Sequence, residues 1–177
     1  FVYIDIDEST YRGWGEPPIT PKDKLADLLR FARAGSPKMV IVDIDTSERE
    51  ASTDSEALQL IELTDVLSNW SDAKVHDPSL NEPTLLVVRG FRQSLATGTK
   101  YLEQRNSSLD ALLAENGNFH STSPLFERSR YDHTIRHWRL FERTCNDGRG
   151  GVIPSIQLVA AARLYAETPD LSRLYNA

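Results

Sequence analysis

Met39-Val40-Ile41-Val42-Asp43-Ile44-Asp45 is the stretch on which the fold class turns. It opens with four apolar residues, three of them β-branched, and shows no polar alternation until its acidic end. That pattern predicts a strand covered on both faces, as in a parallel sheet. Immediately upstream, Thr20-Pro21-Lys22-Asp23 supplies an N-cap, a first-turn proline and an acid at the third helical position. A helix is predicted from about Pro21, with Leu25, Leu28, Leu29 and Ala32 on one face and Gly35 and Pro37 ending it. Further upstream, Val2-Tyr3-Ile4-Asp5-Ile6-Asp7 reads as a first strand, and the turn residues Gly13, Gly15, Pro17 and Pro18 read as a loop. Strand, helix, strand predicts a parallel pair.

Downstream the alternation continues. Thr53-Asp54-Ser55-Glu56 is a capping box, and Ala57, Leu60, Ile61, Thr64 and Leu67 predict a helix face running to about Trp70. Thr84 to Val88 is a third apolar strand. The pattern weakens over Arg92 to Arg130, where a short helix near Leu109 to Ala114 is the one regular element expected. Strand character returns over Thr134 to Thr144, Asn146-Asp147-Gly148 marks a turn, and Pro154 to Glu167 reads as a closing helix. The expected fold is α/β, with a mainly parallel or mixed central sheet, helices on both faces and a long irregular insertion before the last strand. The 177 residues suit one domain, 1–177.

Composition excludes several classes. At 40% hydrophobic and 26% charged, the chain is neither disordered nor fibrous. Its net charge of -6 argues against a general nucleic-acid binder, which needs a basic excess to neutralise phosphates. The single cysteine, Cys145, excludes an internal disulfide and a Cys-rich metal site. No apolar run approaches the roughly 18 to 20 residues that cross a bilayer. Phe1 already lies in a strand-like run, so the sequence is expected to be a piece of a longer protein.

Two groups of residues could carry chemistry. The first is the pair of acidic strand ends, Asp5-Ile6-Asp7 and Asp43-Ile44-Asp45. If the strands are parallel neighbours, these carboxylates gather at the sheet's carboxyl edge, where α/β proteins bind ligands and where a hard cation would find oxygen donors. An Asp-x-Asp after an apolar strand also resembles the nucleophile motif of haloacid dehalogenase-type phosphohydrolases, which makes a Mg2+-dependent phosphohydrolase using Asp5 and Asp7 the alternative reading. The plainer reading is that these acids cap turns and helix N-termini. The second group is the stretch holding Arg128, Arg130, Arg136, Arg139 and Arg143 beside His133 and His137. Guanidinium forks there could grip an anion, or could simply pair with neighbouring acids at the surface. No Gly-x-Ser-x-Gly, Walker, dinucleotide-binding or His-Glu-x-x-His motif is present.

Several segments resemble the CHASE2 domain, an extracytoplasmic sensory module of bacterial transmembrane receptors. Val2 to Ile6 with Asp7-Glu8-Ser9-Thr10, Trp14-Gly15-Glu16-Pro17-Pro18-Ile19-Thr20-Pro21, and Gly35-Ser36-Pro37-Lys38 with Val40 to Asp45 resemble the family's opening strand, link, turn and second strand. Asp132, Ile135 and Arg136 resemble its Asp-Gly-x-Ile-Arg stretch, with His133 in place of the glycine, and Pro154-Ser155-Ile156-Gln157-Leu158 resembles the start of its late helix. Roughly half the chain carries the resemblance. It implies a domain tethered outside the cytoplasmic membrane by flanking transmembrane helices, relaying an unknown small ligand or periplasmic protein to a cytoplasmic output domain. It implies no catalytic residue, no cofactor, no metal and no nucleic acid, and a homodimer is an expectation of the class. On this reading Asp7, Asp43, Asp45, Arg136 and Arg139 are the candidate ligand-binding residues.

Overall fold

The structure, a computed structural model, describes residues 2–17, 19–47, 54–70, 83–93, 102–124, 126–128, 134–146 and 149–165. The chain divides into two compact units, Phe1–Lys38 with Arg49–Pro83 and Met39–Glu48 with Thr84–Ala177.

The first unit is helical. Residues 2–7 form no strand, and α1 (Glu8–Gly13) follows directly. A strand needs a ladder partner to satisfy its backbone, and none pairs with 2–7 among the described residues. Val2 and Tyr3 are accordingly almost fully exposed, at 87% and 94%. Asp7 caps α1 instead, and the chain leaves this short helix through left-handed backbone at Gly15 (φ 84°) and Glu16 (φ 53°).

The helix expected from Pro21 is α2 (Lys22–Ala34), with Leu25, Ala26 and Leu29 buried. Its start differs in one detail. The cap position is Pro21 rather than Thr20, and no side chain of the cap bonds to the first turn. The orphan Lys22 amide donates instead to Gln59 Oε1, 3.3 Å away on α3 (Asp54–Ser68). Arg30 of α2 also reaches α3, with Nη1 2.8 Å from Glu62 Oε1.

The buried stripe of α3 is Leu63, Val66 and Leu67, extended by Trp70 just beyond its end. The expected face, Ala57, Leu60, Ile61, Thr64 and Leu67, shares Leu67 with this stripe, while Ala57 and Ile61 are exposed. Trp70 fixes the phase. Its ring is fully buried and Nε1 donates to Pro83 O at 2.9 Å, which sets the rotation of the preceding turns. Thr53 of the expected capping box lies outside the described residues.

The second unit holds the sheets. Parallel strands β1 (Met39–Val42), β2 (Thr84–Val88) and β5 (Phe119–Thr122) stand in the order β1-β2-β5, in the register Ile41, Leu86, His120. Every residue of β2 is buried, as the apolar run Leu85 to Val88 that follows Thr84 requires. β1 is shorter than expected and is not covered on both faces. Its one ladder among the described residues is with β2, so it is an edge, and Ile41 is 45% exposed. The α/β class and the mainly parallel sheet are as the sequence indicated.

Residues 92–130 carry more regular structure than an irregular insertion. They contain most of β3 (Phe91–Gln93), then β4 (Leu102–Gln104), α4 (Asp110–Glu115), β5 and β6 (Phe126–Arg128). The single strand expected over 134–144 is two, β7 (Ile135–Trp138) and β8 (Phe141–Asn146), which turn apart at Arg139 and Leu140 to pair with different partners. β7 pairs antiparallel with β6. β8 lies between β4 and β9 (Arg149–Pro154) in a mixed sheet of order β3-β4-β8-β9, with Asn146 opposite Arg149 across the hairpin. The glycines at 150 and 151 concealed β9 from a hydrophobicity reading. Gly151 leaves room for Thr144 Oγ1, which a methyl there would approach to 3.2 Å.

The last helix, α5 (Ile156–Tyr165), begins after Ser155, whose Oγ accepts from Leu158 N at 3.2 Å. Val159 packs on Leu86, both fully buried, with Met39, Ile156, Ala160 and Ala162 around them. This is the core between α5 and the parallel sheet.

Candidate functional site

The carboxyl ends of β1 and β2 meet the turn that leads into α4, and a dense polar network forms there. Its centre is Arg89, the residue after β2. The side chain is 5% exposed although it carries a charge, so its partners decide whether it can stay buried. With the Gln104 amide turned so that its oxygen faces the guanidinium, that oxygen accepts from Nε at 2.5 Å and Nη2 at 2.8 Å. Nη1 lies 2.6 Å from Asp110 Oδ1, a close ion contact without hydrogen-bond alignment.

Asp110 is aimed by its own turn. Ser107 N donates to Asp110 Oδ2 at 3.0 Å and Ser107 Oγ accepts from Leu109 N at 3.2 Å, a reciprocal arrangement like a capping box. Ser107 Oγ also donates to Thr46 O at 2.9 Å, which ties this turn to the chain leaving β1.

Above the buried arginine sits an exposed layer. Asp45 Oδ1 accepts from Ser47 N at 3.0 Å and Ser47 Oγ at 2.5 Å, and Asp45 Oδ2 faces Arg105 Nη1 at 3.2 Å. The Asp45 and Arg105 side chains are 52% and 39% exposed, so a soluble molecule can reach both. Asp43 is exposed beside them. Arg105 N donates to Gly90 O at 2.9 Å, which fixes the arginine against the end of β2.

Gly90 is closely approached by the Asp45 and Ser47 side chains. A methyl there would lie 2.5 Å from Ser47 Oγ and 2.8 Å from Asp45 Oδ1, inside van der Waals contact. Gly90→Ala is therefore expected to push the Asp45–Ser47 turn outward and to lower stability by about 1–3 kcal/mol. Urea denaturation measures this, and an unchanged midpoint would show that the turn yields without resistance.

The five residues nominated from sequence are spread over different elements and both units. Asp43 and Asp45 are at this edge. Asp7 belongs to the other unit, where its Oδ1 accepts from Thr10 N at 2.7 Å as the cap of α1. The Thr10 hydroxyl and amide hold its carboxyl below the ordinary aspartate value. Asp5 lies on the same strandless segment. Arg139 stands between β7 and β8 with Nη1 3.3 Å from Glu142 Oε2, and Glu142 is buried. The backbone of Arg136 is in β7, and its side chain lies outside the described residues, as does His133.

Sequence reasoning passed over Arg89, Gly90, Gln104, Arg105, Ser107 and Asp110. Two signals were present. Arg89-Gly90 places a charge and a glycine directly after a wholly apolar strand, and Ser107-Ser108-Leu109-Asp110 has capping-box spacing. Among the described residues no group of three or more His, Cys, Asp or Glu side chains could hold a metal ion. No helix among them is long and apolar enough to cross a membrane. No protein-family model, curated protein or solved structure matches the chain.

Proposed function

We propose that this chain is an extracytoplasmic sensory domain of a bacterial membrane-bound signal-transduction receptor. It would bind a small ligand or a periplasmic protein and relay the event through flanking membrane helices to a cytoplasmic output domain. The resemblance of its opening and closing segments to the CHASE2 family motivates this reading. The observation that carries it is the exposed Asp45–Arg105 pair, held over a buried Arg89 network at the carboxyl edge of a parallel sheet. Such edges are where open α/β sheets receive ligands. An ion pair half open to water contributes little stability, so a ligand that offers either partner a better bond can replace it at small expense.

Binding shifts a receptor only as far as the ligand's affinities for the two conformations differ, typically ~1–3 kcal/mol of coupling. The phosphohydrolase alternative needs Asp5 and Asp7 at a strand's carboxyl end. It draws no support from a segment that has no ladder partner among the described residues and whose Asp7 is occupied as a helix cap.

The test is the full reading frame and its topology. Hydrophobic spans are expected just before residue 1 and soon after residue 177, and a reporter that is active only outside the cytoplasm should be active when fused within this domain of the intact parent. A parent without those spans, or a reporter that is silent, would sink the receptor reading.

A further inference from the structure

The face of the parallel sheet that α5 covers contains a titratable group. Val159 of α5 rests on Leu86 of β2, and Ile156, Val159, Ala160 and Arg163 recur at the three- and four-residue spacing of one helical stripe. His120 of β5 stands directly opposite Leu86 in the ladder. Residues paired across neighbouring strands share a face, so the imidazole lies on the side α5 occupies, one strand over from Leu86 and within the field of Arg163.

We propose that His120 is a proton sensor that sets how firmly α5 docks on the sheet. A neutral imidazole fits beneath the helix. An imidazolium there would bring a second positive charge into the field of Arg163 on the face the helix covers, and the two like charges would loosen the α5–sheet interface. Burial lowers the imidazole below its ordinary value of about 6.5, and Arg163 lowers it further.

The direction follows from these two causes. A histidine depressed in the docked state gains its proton more readily once the helix has come away. Docking is therefore strongest above about pH 6.5 and weakens as the pH falls below that value. Among the described residues, the other charged groups on elements packed against β5 are these. β2 carries none, the described side chains of β9 carry none, and α4 carries Asp110, engaged at Arg89, and Glu115, which is exposed. This device belongs to the chain's own fold and stands whether or not the receptor reading does.

Imidazole titration by NMR and amide exchange of residues 156–165 in the whole chain test it together. His120 is expected to titrate below the ordinary histidine value, and to move back toward it in Arg163→Gln. Corrected for the intrinsic chemistry, α5 amides should exchange up to roughly tenfold faster at about pH 5.5 than at about pH 7.5, the ratio set by a group of ordinary pKa that docking keeps unprotonated. His120→Gln should abolish that dependence. Should His120→Gln fail to fold, Arg163→Gln carries the test, since it should reduce the acid sensitivity while keeping the histidine. An ordinary His120 titration midpoint, pH-independent α5 exchange in the parent chain, or the same pH dependence in His120→Gln would each overturn the proposal.

Discussion

Asp110→Ala is expected to destabilise the protein by about 2–4 kcal/mol, more than removal of the charge it faces. The reason is the asymmetry of the pair. Arg89 is almost fully buried, whereas Asp110 is 44% exposed. Losing the carboxylate leaves an enclosed guanidinium with Gln104 as its one side-chain partner among the described residues, and a buried charge without its counter-ion is among the most expensive defects a fold can carry. Partial exposure of Asp110 lets water replace some of the lost interaction, which is why the lower part of the range applies.

Arg89→Met takes away the buried charge and leaves an aspartate that can turn to solvent, so its loss should be the smaller. The double variant should be no worse than Asp110→Ala alone. Urea midpoints of the three variants decide the matter, and Arg89→Met proving the most damaging would refute this account of the network.

Trp70→Ala is expected to cost about 3–5 kcal/mol, a large part of the 5–15 kcal/mol by which a domain is typically stable. The indole is fully buried, closing the stripe of Leu63, Val66 and Leu67, and it satisfies the carbonyl of Pro83. Trp70→Phe separates these roles. It keeps most of the apolar ring but orphans the Pro83 oxygen, for an expected loss of about 1–3 kcal/mol. Equal losses in the two variants would mean that the hydrogen bond rather than the packing anchors the end of α3.

Comparison of individual elements shows where local sequence is a sufficient guide. β2 was legible because four consecutive apolar residues after Thr84 suit a strand buried on both faces, and α2 was legible because its leucines repeat at helical spacing. The segment 2–7 has equal strand character and forms no strand. Strand propensity describes what a residue does beside a partner, and pairing is a property of the rest of the chain. The stripe of α3 was displaced for a related reason. Ile61 and Leu67 both fit a periodic pattern, but the bond from Trp70 to Pro83 selects the face.

The candidate site was half legible. Asp43 and Asp45 were found because acids that end an apolar run mark a strand's carboxyl edge. Their neighbours were not, since Arg105, Ser107 and Asp110 come from a segment with no strong pattern. Arg105 is 60 residues from Asp45 along the chain, and Ser107 is 61 from Thr46. No local window contains such a pair.

The sequence by itself determined the α/β class, two of the three strands of the parallel sheet (edge strand β1 and middle strand β2) and the acidic character of its carboxyl edge. Each follows from periodicity or from adjacent residues, which act over a few positions. Only the tertiary structure decided that Arg89 is buried, that Gln104 and Asp110 neutralise it, that Asp45 meets Arg105 and that His120 lies on the face covered by α5. Burial and charge pairing depend on what the fold brings within a few ångströms, and that proximity is set by packing, not by spacing along the chain.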